Sequence, residues 1–169
     1  MGSGIIEACC GTRGALLEGR RTGNYSHDMK HHIESWARQK ADELSRMSKR
    51  KRKDFNTACI ACDVETGRKY YCRNAGVELS GAPKNPLLFG SKGTAGLLPQ
   101  ASLNHLKVGD CAEVDAVNQA LNNGAHINNL RIRTIWADEK HFGQDKPACL
   151  NCTHTFMGRV KVPPSSSPI

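Results

Sequence analysis

The sequence has no run of apolar residues long enough to cross a membrane, for which about 18 would be needed. Its opening Met-Gly-Ser-Gly-Ile-Ile has neither the charged start nor the long apolar stretch of a secretory signal. Ile6 stands where a myristoylation site requires Ser or Thr. These absences predict no membrane span, no lipid anchor and no cleaved signal, and a cytoplasmic site of action.

The sequence also lacks the regular cysteine framework of a small secreted domain. Its eight cysteines form an adjacent pair, a middle group and a late group, namely Cys9 and Cys10, then Cys59, Cys62 and Cys72, then Cys111, Cys149 and Cys152. In a chain of this size, a late Cys-x-x-Cys is typical of a metal or redox site. We therefore expect free thiols in a reducing compartment.

Composition favours one folded domain. The 169 residues are 24% charged and 38% hydrophobic, a balance that supports a core, and no internal repeat is found. The net charge of +8 favours an anionic partner, most commonly nucleic acid for a small basic protein, although a solvated basic surface would give the same charge.

The first half of the chain predicts a lead-in, a long helix and a hairpin. Residues 1–24 form a variable lead-in, and helical spacing of apolar residues with Ser26 as N-cap predicts a helix over 26–53. Two short strands, 57–64 and 68–73, then flank a glycine-containing turn. The helix ends in a basic block that either contacts phosphates or is a solvated helix end: Lys49, Arg50, Lys51, Arg52 and Lys53.

In the second half, residues 75–109 lack periodicity and predict a long loop that covers a substrate. The pattern then predicts a helix over 111–123 with Asp110 as N-cap, a strand over 130–136, a helix over 149–157 and a strand over 159–162. This alternation predicts a three-layer α/β domain over 25–162, with a zinc core over 55–162 and a flexible tail over 163–169.

Three cysteines lie at the starts of the two late helices. Cys111 with Cys149 and Cys152 can supply three zinc ligands and leave the fourth tetrahedral position to water, which is the arrangement of a catalytic site. Glu113, in the same first turn as Cys111, can face that water without binding the metal. The pattern predicts one Zn²⁺ per chain, with Glu113 as proton shuttle.

These residues carry a resemblance to a known superfamily. Cys111-Ala112-Glu113, followed by Pro147-Ala148-Cys149-Leu150-Asn151-Cys152, resembles the two-part zinc signature of cytidine-deaminase-like enzymes. The run Cys-Ala-Glu-Val-Asp-Ala-Val-Asn-Gln-Ala-Leu also resembles the YwqJ-like deaminase domains of bacterial polymorphic toxins. The resemblance covers roughly residues 55–160, and its two motifs are specific only in combination.

Two departures from the signature matter. Ala148 is inserted after Pro147, and Cys111 replaces the usual histidine, as the three-cysteine variant of the superfamily permits. Three thiolates on Zn²⁺ carry one net negative charge, so we expect a nearby cation or hydrogen-bond donors to the sulfurs. Lys146 and Arg131 are the candidate cations.

The resemblance implies an α/β/α fold with a mixed sheet of four to five strands. It also implies hydrolytic deamination of a nucleobase, with cytosine in DNA or RNA ahead of adenine, by a toxin or effector domain that is delivered into a target cell and bound by an immunity protein. Asn74 and Ala112 would contact the substrate, although Asn74 also suits a plain turn. Two alternatives stay open, a free cytidine deaminase and a non-catalytic zinc-stabilised nucleic-acid-binding module.

The other cysteines, histidines and tryptophans have simpler explanations than metal binding or catalysis. A four-cysteine zinc knuckle that includes Cys59 and Cys62 is disfavoured, because residues three apart on a strand lie about 10 Å apart on opposite faces. A thioredoxin-like redox pair at Cys149 and Cys152 would leave Cys111 and Glu113 without a role. We expect His27 and His31 to be a solvated pair on the first helix. We expect the remaining residues of this group to be buried in the core, namely Cys59, Cys62, Cys72, Trp36 and Trp136.

Overall fold

The computed structural model describes residues 25–49 and 54–165. The predicted lead-in, most of the basic block (Arg50 to Lys53) and the end of the predicted tail lie outside the described residues. A short 3-10 helix, Ile127–Asn129, precedes the last strand. The other elements are, in chain order, α1 (Tyr25–Ser45), β1 (Thr57–Asp63), β2 (Lys69–Arg73), α2 (Gly76–Ser80), α3 (Pro86–Phe89), α4 (Ala112–Asn122), β3 (Leu130–Trp136) and α5 (Leu150–Phe156).

The first helix is shorter than the predicted 26–53. It ends at Ser45, and Lys49 lies in an exposed turn beyond it, so the basic block does not continue the helix. The physical reason is the end of the apolar stripe. Leu44 is buried, whereas Met47 is 46% exposed, and a helical turn that buries no apolar side chain gains little from packing.

The sheet has three antiparallel strands in the order β2-β1-β3. The prediction of a mixed sheet with four to five strands is therefore wrong for the described residues. The predicted strand over 159–162 is reduced to one parallel bridge between Arg131 and Val162. Two prolines, Pro163 and Pro164, follow directly and have no N–H to donate to a strand ladder, which accounts for the missing strand.

Both faces of the sheet are covered, which gives the predicted three layers. Every residue of β1 is buried. Ala58, Ile60 and Cys62 pack in the core beneath α1, whereas Cys59 and Ala61 pack in the core beneath α4. Cys59 and Cys62 therefore lie on opposite faces, as the strand geometry predicted, and this placement disfavours a zinc knuckle that uses both.

The long segment between β2 and α4 is an ordered part of this fold. It contains α2 and α3, and two asparagines of α4 bind its main chain. The Asn85 N–H donates to Asn118 Oδ1 at 2.7 Å, and the side-chain amides of Asn118 and Asn122 donate to the Pro83 carbonyl at 3.0 and 2.8 Å. Leu88 of α3 is fully buried in the α4-side core. The predicted substrate-covering loop is thus packed against the helix that begins at Cys111.

We expect Leu88→Ala to lower the free energy of unfolding by about 2–5 kcal/mol, because Leu88 is 0% exposed and its removal leaves a cavity. Leu87→Ala is the matched control, since Leu87 is 44% exposed in the same helix and should cost under about 0.5 kcal/mol. Denaturant unfolding measures both values. Equal, small effects would mean that this segment does not pack as described.

Candidate metal centre

The starts of α4 and α5 bring the three late cysteines together. Cys111 is the N-cap of α4 and Cys149 the N-cap of α5, both with extended backbone, and Cys152 lies in the first turn of α5. The N-cap of α4 is therefore Cys111 instead of the predicted Asp110. The positive end of a helix dipole favours thiolates over thiols, so both positions suit metal ligands.

The three sulfurs form one group. The ligand atoms of Cys111, Cys149 and Cys152 all lie within 4.8 Å of one another, and the Cys111 and Cys149 sulfurs are 3.2 Å apart. A tetrahedral site with Zn–S bonds of about 2.3 Å places its sulfurs about 3.8 Å apart, so a slight spreading of this pair would admit an ion. Among residues 25–49 and 54–165, no fourth metal-binding side chain belongs to the group. It could therefore hold a metal ion and keep one coordination position open.

The thiols share one negative charge when no metal is bound. Hydrogen bonds from the thiols of Cys111 and Cys152 lower the pKa of Cys149 to about 2. The hydrogen bond with Cys149 raises the pKa of Cys111, and hydrogen bonds with Cys111 and then Cys149 raise the pKa of Cys152, in both cases above the ordinary thiol value. A metal ion that binds all three as thiolates must therefore displace two protons, so its affinity should fall as the pH falls.

Glu113 lies beside the sulfur group without belonging to it. Its side chain is 2% exposed, and the Cys152 thiol donates to Glu113 Oε2 at 3.7 Å. Burial raises the pKa of Glu113, while the positive charge of Lys146 opposes that rise. A buried carboxyl group with a raised pKa next to an open metal position can both accept and return a proton.

Residues of β1 and β3 pack beside Glu113. Cys59 and Thr134 are paired across β1 and β3. Burial raises the pKa of Cys59 well above its ordinary value, so this residue stays a thiol, and it is not one of the grouped cysteines. Burial raises the pKa of Glu113 as well, and the neighbouring Thr134 hydroxyl partly opposes the rise at both Cys59 and Glu113.

Of the two cations predicted to lie near the cysteine group, only Lys146 is on the same side of the sheet as Glu113. Arg131 pairs with Cys62, and its charge acts on that α1-side cysteine, so the expectation for Arg131 is wrong. Lys146 donates its main-chain N–H to the Thr134 carbonyl at 2.9 Å and acts on Glu113. Its amine lies 4.9 Å from the ring centroid of Trp136, which is only partly buried and so departs from its predicted core role. Trp36 packs against the α1-side core.

The amide group of Asn74, predicted to contact substrate, is bound to main chain. Asn74 Oδ1 accepts from the N–H groups of Asn56 and Thr57 at 3.3 Å each, and its Nδ2 donates to the Asp54 carbonyl at 2.7 Å. These bonds hold the entry to β1. Ala112, the other predicted contact, is fully buried. Substrate contact by either residue stays a prediction.

Sequence reasoning missed a second group of residues at the site. Asn151, between the two cysteines of Cys-x-x-Cys, is buried, and its Oδ1 accepts the Leu103 N–H at 2.8 Å. Its Nδ2 donates to Ser102 Oγ at 3.1 Å and to Asn104 Oδ1 at 3.3 Å. Helix α5 therefore holds residues 102–106 through Asn151, which lies between Cys149 and Cys152. The only sequence signal was a polar residue inside the motif.

The other predicted contacts fall partly outside the described residues. Of the basic block only Lys49 is described, and it is exposed. The side chain of His27 lies outside the described residues, and His31 is exposed, with its ring 6.4 Å from that of His32. Among the helices of residues 25–49 and 54–165, none combines the length and apolarity that a membrane span needs.

No known protein family, curated protein or solved structure matches the sequence.

We expect the purified protein to bind one zinc ion per chain and Cys149→Ser or Cys152→Ser to lose it, because two remaining thiolates bind zinc far more weakly. Cys59→Ala is the control, since Cys59 is a nearby buried thiol outside the group. Elemental analysis of the dialysed proteins gives the stoichiometry. Zinc loss in Cys59→Ala together with retention in Cys149→Ser would contradict the assignment.

Proposed function

We propose that the chain is a zinc-dependent hydrolytic deaminase that acts on a nucleobase, most readily cytosine in DNA or RNA, as a toxin or effector domain. The observation that carries the proposal is the position of Glu113. It is a buried carboxyl group beside three metal-binding sulfurs, and it is not needed as a ligand. A purely structural zinc site has no use for such a group.

The donor set supports zinc and an open coordination position. Thiolates favour soft or borderline metals, and structural zinc sites are closed by four protein ligands, whereas three are grouped among the described residues. The open fourth position favours a catalytic site over a structural one.

The order of elements gives further support. A long helix, a hairpin, a helix that begins at Cys111-Ala112-Glu113 and a later helix that begins at Cys-x-x-Cys make up the layout that the cytidine-deaminase resemblance implies. The three-stranded sheet is smaller than that resemblance implies. The layers on both faces of the sheet are nevertheless those expected.

In the proposed reaction, a zinc ion held by Cys111, Cys149 and Cys152 would supply the Lewis acidity that activates water. Glu113 Oε2 accepts one proton from the attacking water and passes it to the ring nitrogen, N3, as the new C–O bond forms at C4 of cytosine. Glu113 then transfers the hydroxyl proton to the amino group. The C4–N4 bond breaks and ammonia leaves, so cytosine and water give uracil and ammonia.

Several groups act on the pKa of Glu113. Burial favours the protonated carboxyl group, whereas the main-chain N–H of Glu113, the Lys146 ammonium and the Thr134 hydroxyl favour the carboxylate that must accept the first proton. Opposed influences of this kind keep both protonation states accessible, which a residue that accepts and then returns a proton requires.

The substrate class rests on the net charge of +8 and on the resemblance. The alternative of a free cytidine deaminase is favoured by Cys111 in the first ligand position. The other alternative, a zinc-stabilised nucleic-acid-binding module, would use the cationic surface and leave Glu113 without a role.

We expect Glu113→Gln to lose turnover by about 10²-fold or more while it retains zinc and fold, because the amide cannot accept the proton. The measurement is ammonia release from cytosine-containing DNA, RNA and free cytidine, with zinc content determined on the same samples. Asp115→Asn is the matched control, because Asp115 is a buried carboxyl group on the same helix that interacts with Cys72 and Gln119.

The control should stay within a few-fold of the parent activity. Full activity of Glu113→Gln on every substrate would refute the proton role. Absence of ammonia release from all three substrates, together with salt-dependent binding of oligonucleotides, would favour the binding module. Sequencing of DNA and RNA from cells that express the chain separates cytosine from adenine, through C-to-T against A-to-G changes.

A further inference from the structure

Lys146 is placed by a short extended segment that runs antiparallel to β3. Asp145 forms an antiparallel bridge with Ile135, and the Lys146 N–H donates to the Thr134 carbonyl at 2.9 Å, so Lys146 lies opposite Thr134. Residues opposite each other in an antiparallel pair point to the same face of a sheet. Because Thr134 is also paired with Cys59 of the α4-side core, Lys146 lies on the face of the sheet that carries the metal centre.

The indole ring of Trp136 holds the Lys146 amine at the edge of this face. Trp136 is the second residue after Thr134 on β3, so the two side chains lie on one face, and the ring is partly exposed. The amine lies 4.9 Å from the ring centroid, which is a cation–π contact. The His141 ring lies 5.8 Å from the same indole, centroid to centroid, and its Nδ1 is 2.9 Å from Asp138 Oδ1. The indole and the amine are therefore kept together.

The Lys146 ammonium group has no carboxylate counter-charge. Among residues 25–49 and 54–165, no Asp or Glu forms an ion pair with its amine, whereas the nearby Arg133 is paired with Asp145. Lys146 is only partly exposed, and a partly desolvated charge without a partner is unfavourable. An anion that binds the amine removes this cost. Because Lys146 precedes the metal-binding Cys149 by three residues, such an anion lies near the metal centre.

We propose that the Lys146 ammonium group binds a phosphate group of the substrate, and that Trp136 is the positioning residue that holds the amine for it. A lysine ammonium is a compact charge with three donors, which suits phosphate oxygens. The inference rests on the proposed function and narrows its substrate class. The substrate is a nucleotide, free or within a strand of DNA or RNA, because free cytidine would leave this cation without a partner.

The test measures ligand binding by isothermal titration calorimetry in the Glu113→Gln background. There no turnover consumes the ligand, and the charge of Lys146 cannot act through a carboxylate at position 113. The ligands are cytidine, cytidine 5′-monophosphate and a single-stranded DNA oligonucleotide that contains one cytosine. We expect the two phosphate-bearing ligands to bind more tightly than cytidine. Lys146→Met should lower their affinity by about 10-fold or more, because a charged hydrogen bond is lost, and leave that of cytidine unchanged.

The salt dependence of oligonucleotide binding gives a second readout. Lys146→Met should reduce the slope of log affinity against log salt concentration by about 0.7, the value for one phosphate contact on a single strand. Lys140→Met is the matched control, because it removes the same charge from an exposed position between Trp136 and Lys146. Its affinities and salt slope should match the parent values. Lys146→Arg keeps the charge and should retain tight binding.

The positioning role of Trp136 has its own pair of variants. Trp136→Leu should weaken binding of the phosphate-bearing ligands alone, because the amine loses its aromatic contact, and Trp136→Phe should restore that binding. Should Lys146→Met fail to fold by circular dichroism, Lys146→Gln provides the same readout.

The three ligands distinguish the sources of the phosphate. A loss of affinity in Lys146→Met that is confined to the monophosphate identifies a free nucleotide, a loss confined to the oligonucleotide identifies a strand, and a loss with both identifies the phosphate of the target nucleotide itself. Equal affinity of the parent for cytidine and the phosphate-bearing ligands, or equal losses in Lys146→Met and Lys140→Met, would overturn the proposal. A protein that binds phosphate through Lys146 but releases no ammonia would refute the deaminase and leave the phosphate site standing.

Discussion

The electrostatic repulsion among three thiolates is the constraint on which the site depends. Two helices and the segments before them bring three sulfurs within 4.8 Å, a separation at which three unscreened negative charges are unfavourable. Without metal the cluster resolves this by keeping one thiolate and two thiols, with the pKa of Cys149 lowered and those of Cys111 and Cys152 raised. A divalent cation would remove this conflict, and the grouped cysteines could hold one.

Asparagine side chains hold the segments that the sheet does not reach. Asn118 fixes the residues before α3, Asn74 fixes the entry to β1, and Asn151 fixes residues 102–106. A side-chain amide both donates and accepts, so it can satisfy main-chain groups that have no strand or helix partner. A long irregular segment can therefore be ordered against α4 and α5.

Local sequence patterns were enough to predict the helices and strands around the cysteine group. The strand at 130–136 is confirmed over its whole length, because alternation of apolar and polar residues is a local signal. The helix after Cys111 is confirmed to within one residue at each end, with its apolar stripe and the following Gly124 as the signals. The cysteine grouping followed from two short motifs. Each of these signals lies within a few residues of sequence.

The features that the sequence did not predict depend on contacts between residues far apart in the chain. The end of α1 was placed too late, because basic residues suit a helix by propensity while packing ended it at Ser45. The Asn151 contacts join residues 47 to 49 apart in sequence, and no local pattern marks such bonds. X-ray absorption of the zinc-loaded protein tests the central claim most directly. We predict three sulfurs at about 2.3 Å and one oxygen or nitrogen at about 2.0–2.1 Å; a shell of four sulfurs would describe a closed structural site and contradict it.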